Sequence, residues 1–181
     1  MEDKIINLIV IDDSFDSEEK IVSKLRTTGY TARSSRVEDE EDLCETFGSQ
    51  IPDLVIYFQG MELISLKETV ECLKKDKRTE DCRVIAVDKS AQPDVVSAMR
   101  DGAVDATSFE NIDHLLLIIA REYQSLLSAR QINKFKKAFN ESEKRCNSLL
   151  DSSRDAIANI HEGMHVYSNK SYLEMFGIEE S

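Results

Sequence analysis

Positive charge is scarce in this chain of 181 residues: 23 Lys and Arg stand against 35 Asp and Glu, a formal charge of −12 with a pI near 4.7. That balance removes the electrostatic grip needed for nucleic acid or anionic lipid. Long apolar runs are missing too. The strongest, Ile5 to Ile11 and Leu115 to Ala120, fall far short of the ~20 residues of a membrane span. Met1-Glu2-Asp3 is no signal-peptide start, so a cytoplasmic protein without membrane insertion is expected. Cys44, Cys72, Cys82 and Cys146 form no CxxC pair and are expected as reduced thiols, not staples or metal ligands. No GxGxxG or GxxxxGK(S/T) loop follows any apolar run, which disfavours a flavin or nucleotide enzyme.

What is present is core-forming material, with 41% hydrophobic and 32% charged residues. From residue 4 to residue 110 short apolar runs alternate with amphipathic segments, the pattern of parallel strands joined by crossover helices. Strands are expected at Asn7 to Ile11, Tyr30 to Ser35, Leu54 to Phe58, Val84 to Val87 and Val104 to Thr107. Helices are expected at Ser17 to Thr27, Glu40 to Ser49, Glu62 to Lys75 and Pro93 to Arg100, with Gly29, Gly48 and Gly102 as caps and Pro93 in a first turn. The fold class is therefore α/β, a doubly wound (βα)5 parallel sheet, whose working loops lie at the carboxyl ends of the strands.

There the pair Asp12-Asp13 ends the first strand. Adjacent carboxylates at a strand end can hold a hard cation through oxygen, or simply form a polar turn before the next helix.

The order of elements, with "LIVIDDS", "PDLVIYF", "RVIAVDKSAQP" and "MRDGAVDATSF" at successive strands, resembles the flavodoxin-like receiver domain of two-component response regulators. The resemblance implies Mg2+ at the acidic pair, a phosphoacceptor Asp ending the third strand, a hydroxyl on the fourth and a Lys on the fifth. Here Asp12 and Asp13 match, and the rest do not. The acceptor position is Phe58, and Val55 to Gly60 contains no carboxylate. The hydroxyl position is Asp88, and the lysine position is Phe109. No Lys occurs between Lys89 and Lys134, so no ammonium is expected in reach of the pocket.

Aspartyl phosphorylation needs a carboxylate nucleophile and positive charge beside the phosphoryl oxygens. The expectation is a pseudo-receiver with no catalytic residue, no cofactor and a vestigial acidic pocket of Asp12, Asp13 and Asp88. No metal centre is expected; were a cation held, Asp12 and Asp13, with Asp88, would hold it. The alternative is an active Mg-dependent receiver using an atypical acceptor, Asp53 or Asp88.

After Asn111 a helical pattern runs without Pro or Gly to about residue 150. Ile132, Phe135, Phe139, Cys146 and Leu149 follow alternating steps of three and four if Ser142 fills one position, a heptad seam that suits a parallel dimer. From Ser128 to Leu150 six basic residues face two acidic ones, a local charge of about +4. The other reading is a linker helix folded back on its own domain or breaking near Ser128.

The last segment, "LLDSSRDAIANIHEGMHVYSNKSYLEMFG", is similar to the opening of a PAS domain. That implies a first strand from Asp155-Ala156-Ile157, a turn at Gly163, a second strand at His165 to Tyr167 and a helix from Asn169 to Phe176. Only about 30 residues remain where a PAS core takes roughly 100, so a longer protein is expected. The order of modules looks like the start of receiver-PAS-GGDEF-EAL proteins of the FimX type, which implies downstream domains in cyclic di-GMP signalling. The expected layout is 1–127 receiver-like, 128–150 helical linker and 151–181 PAS fragment. It suits a non-enzymatic signalling module that dimerises or docks an unidentified protein partner.

Overall fold

The computed structural model of the chain describes residues 5–79 and 81–177. They fall into two compact units, Met1–Ser128 and Ala129–Ser181.

In the first unit five strands, β1 (Ile5–Ile11), β2 (Thr31–Val37), β3 (Leu54–Phe58), β4 (Arg83–Asp88) and β5 (Asp105–Ser108), form one sheet in the order β2-β1-β3-β4-β5. Every pairing is parallel. Between them run α1 (Phe15–Thr27), α2 (Glu40–Ser49), α3 (Leu66–Lys75) and α4 (Val95–Arg100), and α5 (Ile112–Ser152) follows β5.

Because side chains alternate along a strand, the sheet carries two cores. Ile6, Leu8 and Val10, with Ile56 and Val87, pack under Ile21 and Leu25 of α1 and Leu115 and Ile119 of α5. Ile9, Ile11, Val55 and Ala86 face the opposite way, under Leu43 of α2, Val70 of α3 and Ala98 of α4. The amino end of the sheet is tied to α5 by ions: the buried Glu122 carboxylate pairs with Arg83 and with Arg121, which also reaches Asp105 at 2.7 Å.

Element boundaries shift where local chemistry decides them. Helix α3 begins at Leu66, not Glu62, because Ser65 and Glu68 form a reciprocal capping box. Helix α4 begins after Asp94, whose side chain accepts the Ser97 N–H, so Pro93 precedes the cap and is not in the first turn. Gly48 lies inside α2, which runs on to Ser49. Gly102 does take the expected left-handed conformation, at φ +107°, where an added Cβ would stand 2.8 Å from Val70. Helix α5 is unbroken through Ser128, so the expected alternative of a break there is not realised.

In the second unit, β6 (Ala158–His161) and β7 (Met164–Ser168) form an antiparallel hairpin, and α6 (Lys170–Phe176) follows. The strand starts at Ala158, later than the expected Asp155-Ala156-Ile157. The Ile157 N–H is instead given to the side-chain oxygen of Asn169. Gly163 does occupy the turn, at φ +80°.

Candidate functional site at the carboxyl edge of the sheet

Register brings the expected pocket residues to one edge. Ile11 lies beside Tyr57, and Phe58 beside Val87, so Asp12, Phe58 and Val87 fall on one row across β1, β3 and β4. Alternation then sorts their faces. Val10, Ile56 and Val87 point to the α1/α5 side, and so do the positions two further on, Asp12, Phe58 and Lys89.

Phe58 is 1% exposed, so the ring at the acceptor position is a core side chain. It meets the ring of Phe109 edge-on, with centroids 5.2 Å apart and planes at 74°. The Lys20 ammonium of α1 lies 4.6 Å from the Phe109 centroid, and the Lys89 ammonium 5.7 Å from that of Phe58.

The expectation that no ammonium reaches the pocket is wrong. Nζ of Lys89 stands 2.9 Å from Oδ1 of Asp12 and 2.7 Å from Oδ1 of Asp13. Asp12 is fully buried, and neither of its carboxylate oxygens receives an aligned hydrogen bond, so the Lys89 charge is its close compensation. On its backbone side the Asp12 carbonyl accepts from the Arg36 guanidinium, which also pairs with Glu38. The hydrogen bond from Lys89 holds the exposed Asp13 carboxyl below its ordinary range, aided by Asp12 and by the Lys89 charge. Partial burial pulls the Lys89 amine down, but its hydrogen bond to Asp13 and its close ion pair with Asp12 outweigh this and leave it above its ordinary value.

Asp88 does not complete an acidic cluster. Its carboxylate turns along its own loop and accepts the Ser90 N–H at 2.7 Å, while its carbonyl accepts the Phe109 N–H. The physical reason is parity: Asp88 follows Ala86 on the α2/α3/α4 side, away from Asp12 and Phe58. Among the described residues no group of three or more His, Cys, Asp or Glu is placed to hold a metal ion. Asp53 lies at the other end of β3, five residues and about 16 Å of strand from the pocket. There its carboxylate accepts the Asn7 N–H. The divalent ion that a receiver would bind does not fit here, because the two available carboxylates share a lysine and an aromatic ring stands where a further oxygen would be.

In the second unit Ile132, Phe135, Phe139 and Leu149 are 54%, 74%, 70% and 66% exposed, and Cys146 is exposed as well. The expected seam is thus an uncovered stripe within the single chain.

Comparison with known proteins places the first unit. No family model matches the chain, and no curated protein does. Solved structures do. NtrX from Brucella abortus in complex with ADP matches with 20% identity and a TM-score of 0.60 over 74% of this chain, which spans only 29% of the NtrX chain. The signal receiver domain of a Luxo repressor protein from Vibrio parahaemolyticus matches with 16% identity and a TM-score of 0.59, over 70% of this chain and 96% of that domain. A yeast Spc42 trimeric coiled-coil segment fused to another structure matches with 18% identity and a TM-score of 0.57, over 82% of this chain and 99% of the fusion. The first unit therefore has the α/β fold of response-regulator receiver domains. No described helix is long and apolar enough to cross a membrane.

Proposed function

We propose that the chain is a phosphorylation-independent, non-enzymatic signalling module: a pseudo-receiver that dimerises or docks a partner protein and couples through α5 to a PAS-type domain. The observation that carries this reading is the Phe58 ring, buried against Phe109 at the position where a phosphoacceptor would stand. A phenyl ring supplies no nucleophile, and the nearest carboxylates, Asp12 and Asp13, are already paired with Lys89. Neither atypical acceptor is better placed, since Asp53 is at the far end of its strand and Asp88 caps its own loop.

The heptad stripe from Ile132 to Leu149 supports self-association, because exposed apolar side chains at a and d spacing lower their free energy by facing a second helix. The hairpin, turn and helix after Ser152 carry the PAS resemblance, and the order of modules carries the proposed role in cyclic di-GMP signalling. The test is intact mass after treatment with acetyl phosphate and Mg2+. An unchanged mass is expected; gain of one phosphoryl group, abolished by Asp12→Ala, would overturn the proposal.

A further inference from the structure

The pocket contains a charge problem and its own solution. Asp12 is buried and neither of its carboxylate oxygens receives an aligned hydrogen bond, a costly arrangement for a carboxylate unless a cation stands beside it. In a site built for a small cation, those oxygens would be its ligands. Here Lys89, delivered by the loop after β4, lies within ion-pair distance of both Asp12 and Asp13.

We infer that the Lys89 ammonium is the resident counter-cation of this pocket and closes it to divalent ions. The assignment deepens the phosphorylation-independent reading and rests on the same pocket, but either can fail alone. Three observations carry it. The ammonium reaches one oxygen of each aspartate at 2.9 and 2.7 Å, so an incoming ion would have to displace it from both. Its other side lies toward the Phe58 ring, 5.7 Å from the centroid, which holds the ammonium by cation–π attraction and offers an ion no oxygen. Mg2+ keeps several waters and is held through one or two carboxylates, so the ammonium across Asp12 and Asp13 is the barrier; Asp88 is committed to the Ser90 N–H and plays no part. The lysine side chain is 48% exposed, so its removal opens a path from solvent to the buried carboxylate.

The assignment predicts that removing the ammonium creates a metal site. Wild-type chain, Lys89→Met, Lys89→Gln and Lys89→Arg would be titrated with Mn2+, read by loss of the free-ion paramagnetic resonance signal, and melted with and without Mg2+. Wild type and Lys89→Arg should show no saturable binding and no rise in melting midpoint at about 10 mM Mg2+, whereas Lys89→Met and Lys89→Gln should melt higher as metal is added. Their Mn2+ affinity should exceed that of wild type by at least about tenfold, and adding Asp12→Asn should abolish the gain. Wild-type binding as tight as that of the variants would overturn the assignment, as would variants that gain none. Should Lys89→Met and Lys89→Gln be unfolded alone, metal must restore their fold, and failure to do so counts against it equally. Metal binding by wild type without phosphoryl uptake would sink this inference and leave the proposed function standing; phosphoryl uptake by a wild type that shows no saturable metal binding would do the reverse.

Discussion

The ring of Phe58 meets that of Phe109 edge-on at 5.2 Å, and each ring has a lysine ammonium near it, Lys89 and Lys20 respectively. The end of β3 is filled by packed rings, and the packing contributes to stability. Phe58→Ala should destabilise the first unit by about 3–5 kcal/mol, measured by urea unfolding. Phe58→Asp should cost at least as much and should not confer phosphorylation, because Lys89 still holds Asp12 and Asp13. A loss below about 1 kcal/mol for Phe58→Ala would mean that the ring is not part of the core.

The Asp13–Lys89 pair sets a pH window. Asp13 is lowered from its ordinary value of 3.8, so its contribution is present above that value and is lost as pH falls through the lower folded-state value. Lys89 is raised from 10.5, so its contribution is complete below that value and is lost as pH rises through the higher folded-state value. A double-mutant cycle of Asp13→Asn and Lys89→Met should show favourable coupling that is flat from pH 5 to pH 9 and fades in stronger acid or base. Because Asp13 is exposed, added salt should weaken the coupling. Coupling that peaked near pH 7 would implicate another group.

Much of this was legible in the sequence. The strands could be read because their apolar runs are nearly continuous, and Asp12, Phe58 and Phe109 could be placed because strand ends are fixed to within a residue. Lys89 escapes a sequence reading that expects the ammonium from the fifth strand, where Phe109 stands. Alternation held the missing signal: counting by twos from Val87 puts Lys89 on the face of Asp12 and Phe58, and counting from Ala86 takes Asp88 off it. The expected place of Asp88 in the acidic pocket fails because sequence does not show which backbone N–H a short carboxylate will cap.

In the second unit the Asn169 side chain ties four backbone groups together. Asn169 is fully buried; its oxygen accepts the N–H groups of Ile157 and Tyr172, and its amide donates to the carbonyls of Leu150 and Asp155. Asn169→Ala removes an N-cap worth about 1 kcal/mol and strands buried polar groups at about 1–3 kcal/mol each. Amide exchange at Ile157 should accelerate strongly, while Val10 and Ile56 in the sheet keep their protection. Unchanged exchange at Ile157 would show that the side chain does not hold this junction.

The apolar stripe on α5 predicts self-association. At tens of micromolar the chain should scatter light as a dimer, and Phe135→Glu with Phe139→Glu should return it to monomer without lowering the melting midpoint of the first unit, since both rings are exposed in the single chain. A wild-type monomer would remove the coiled coil.

The central claim, that no phosphoryl group can be accommodated beside Asp12 and Asp13, is tested most directly by fluorine NMR of the chain with Mg2+ and the phosphoryl mimic fluoroberyllate. We predict only the resonances of free fluoroberyllates; slowly exchanging protein-bound fluorine signals that vanish in Asp12→Ala would contradict the account.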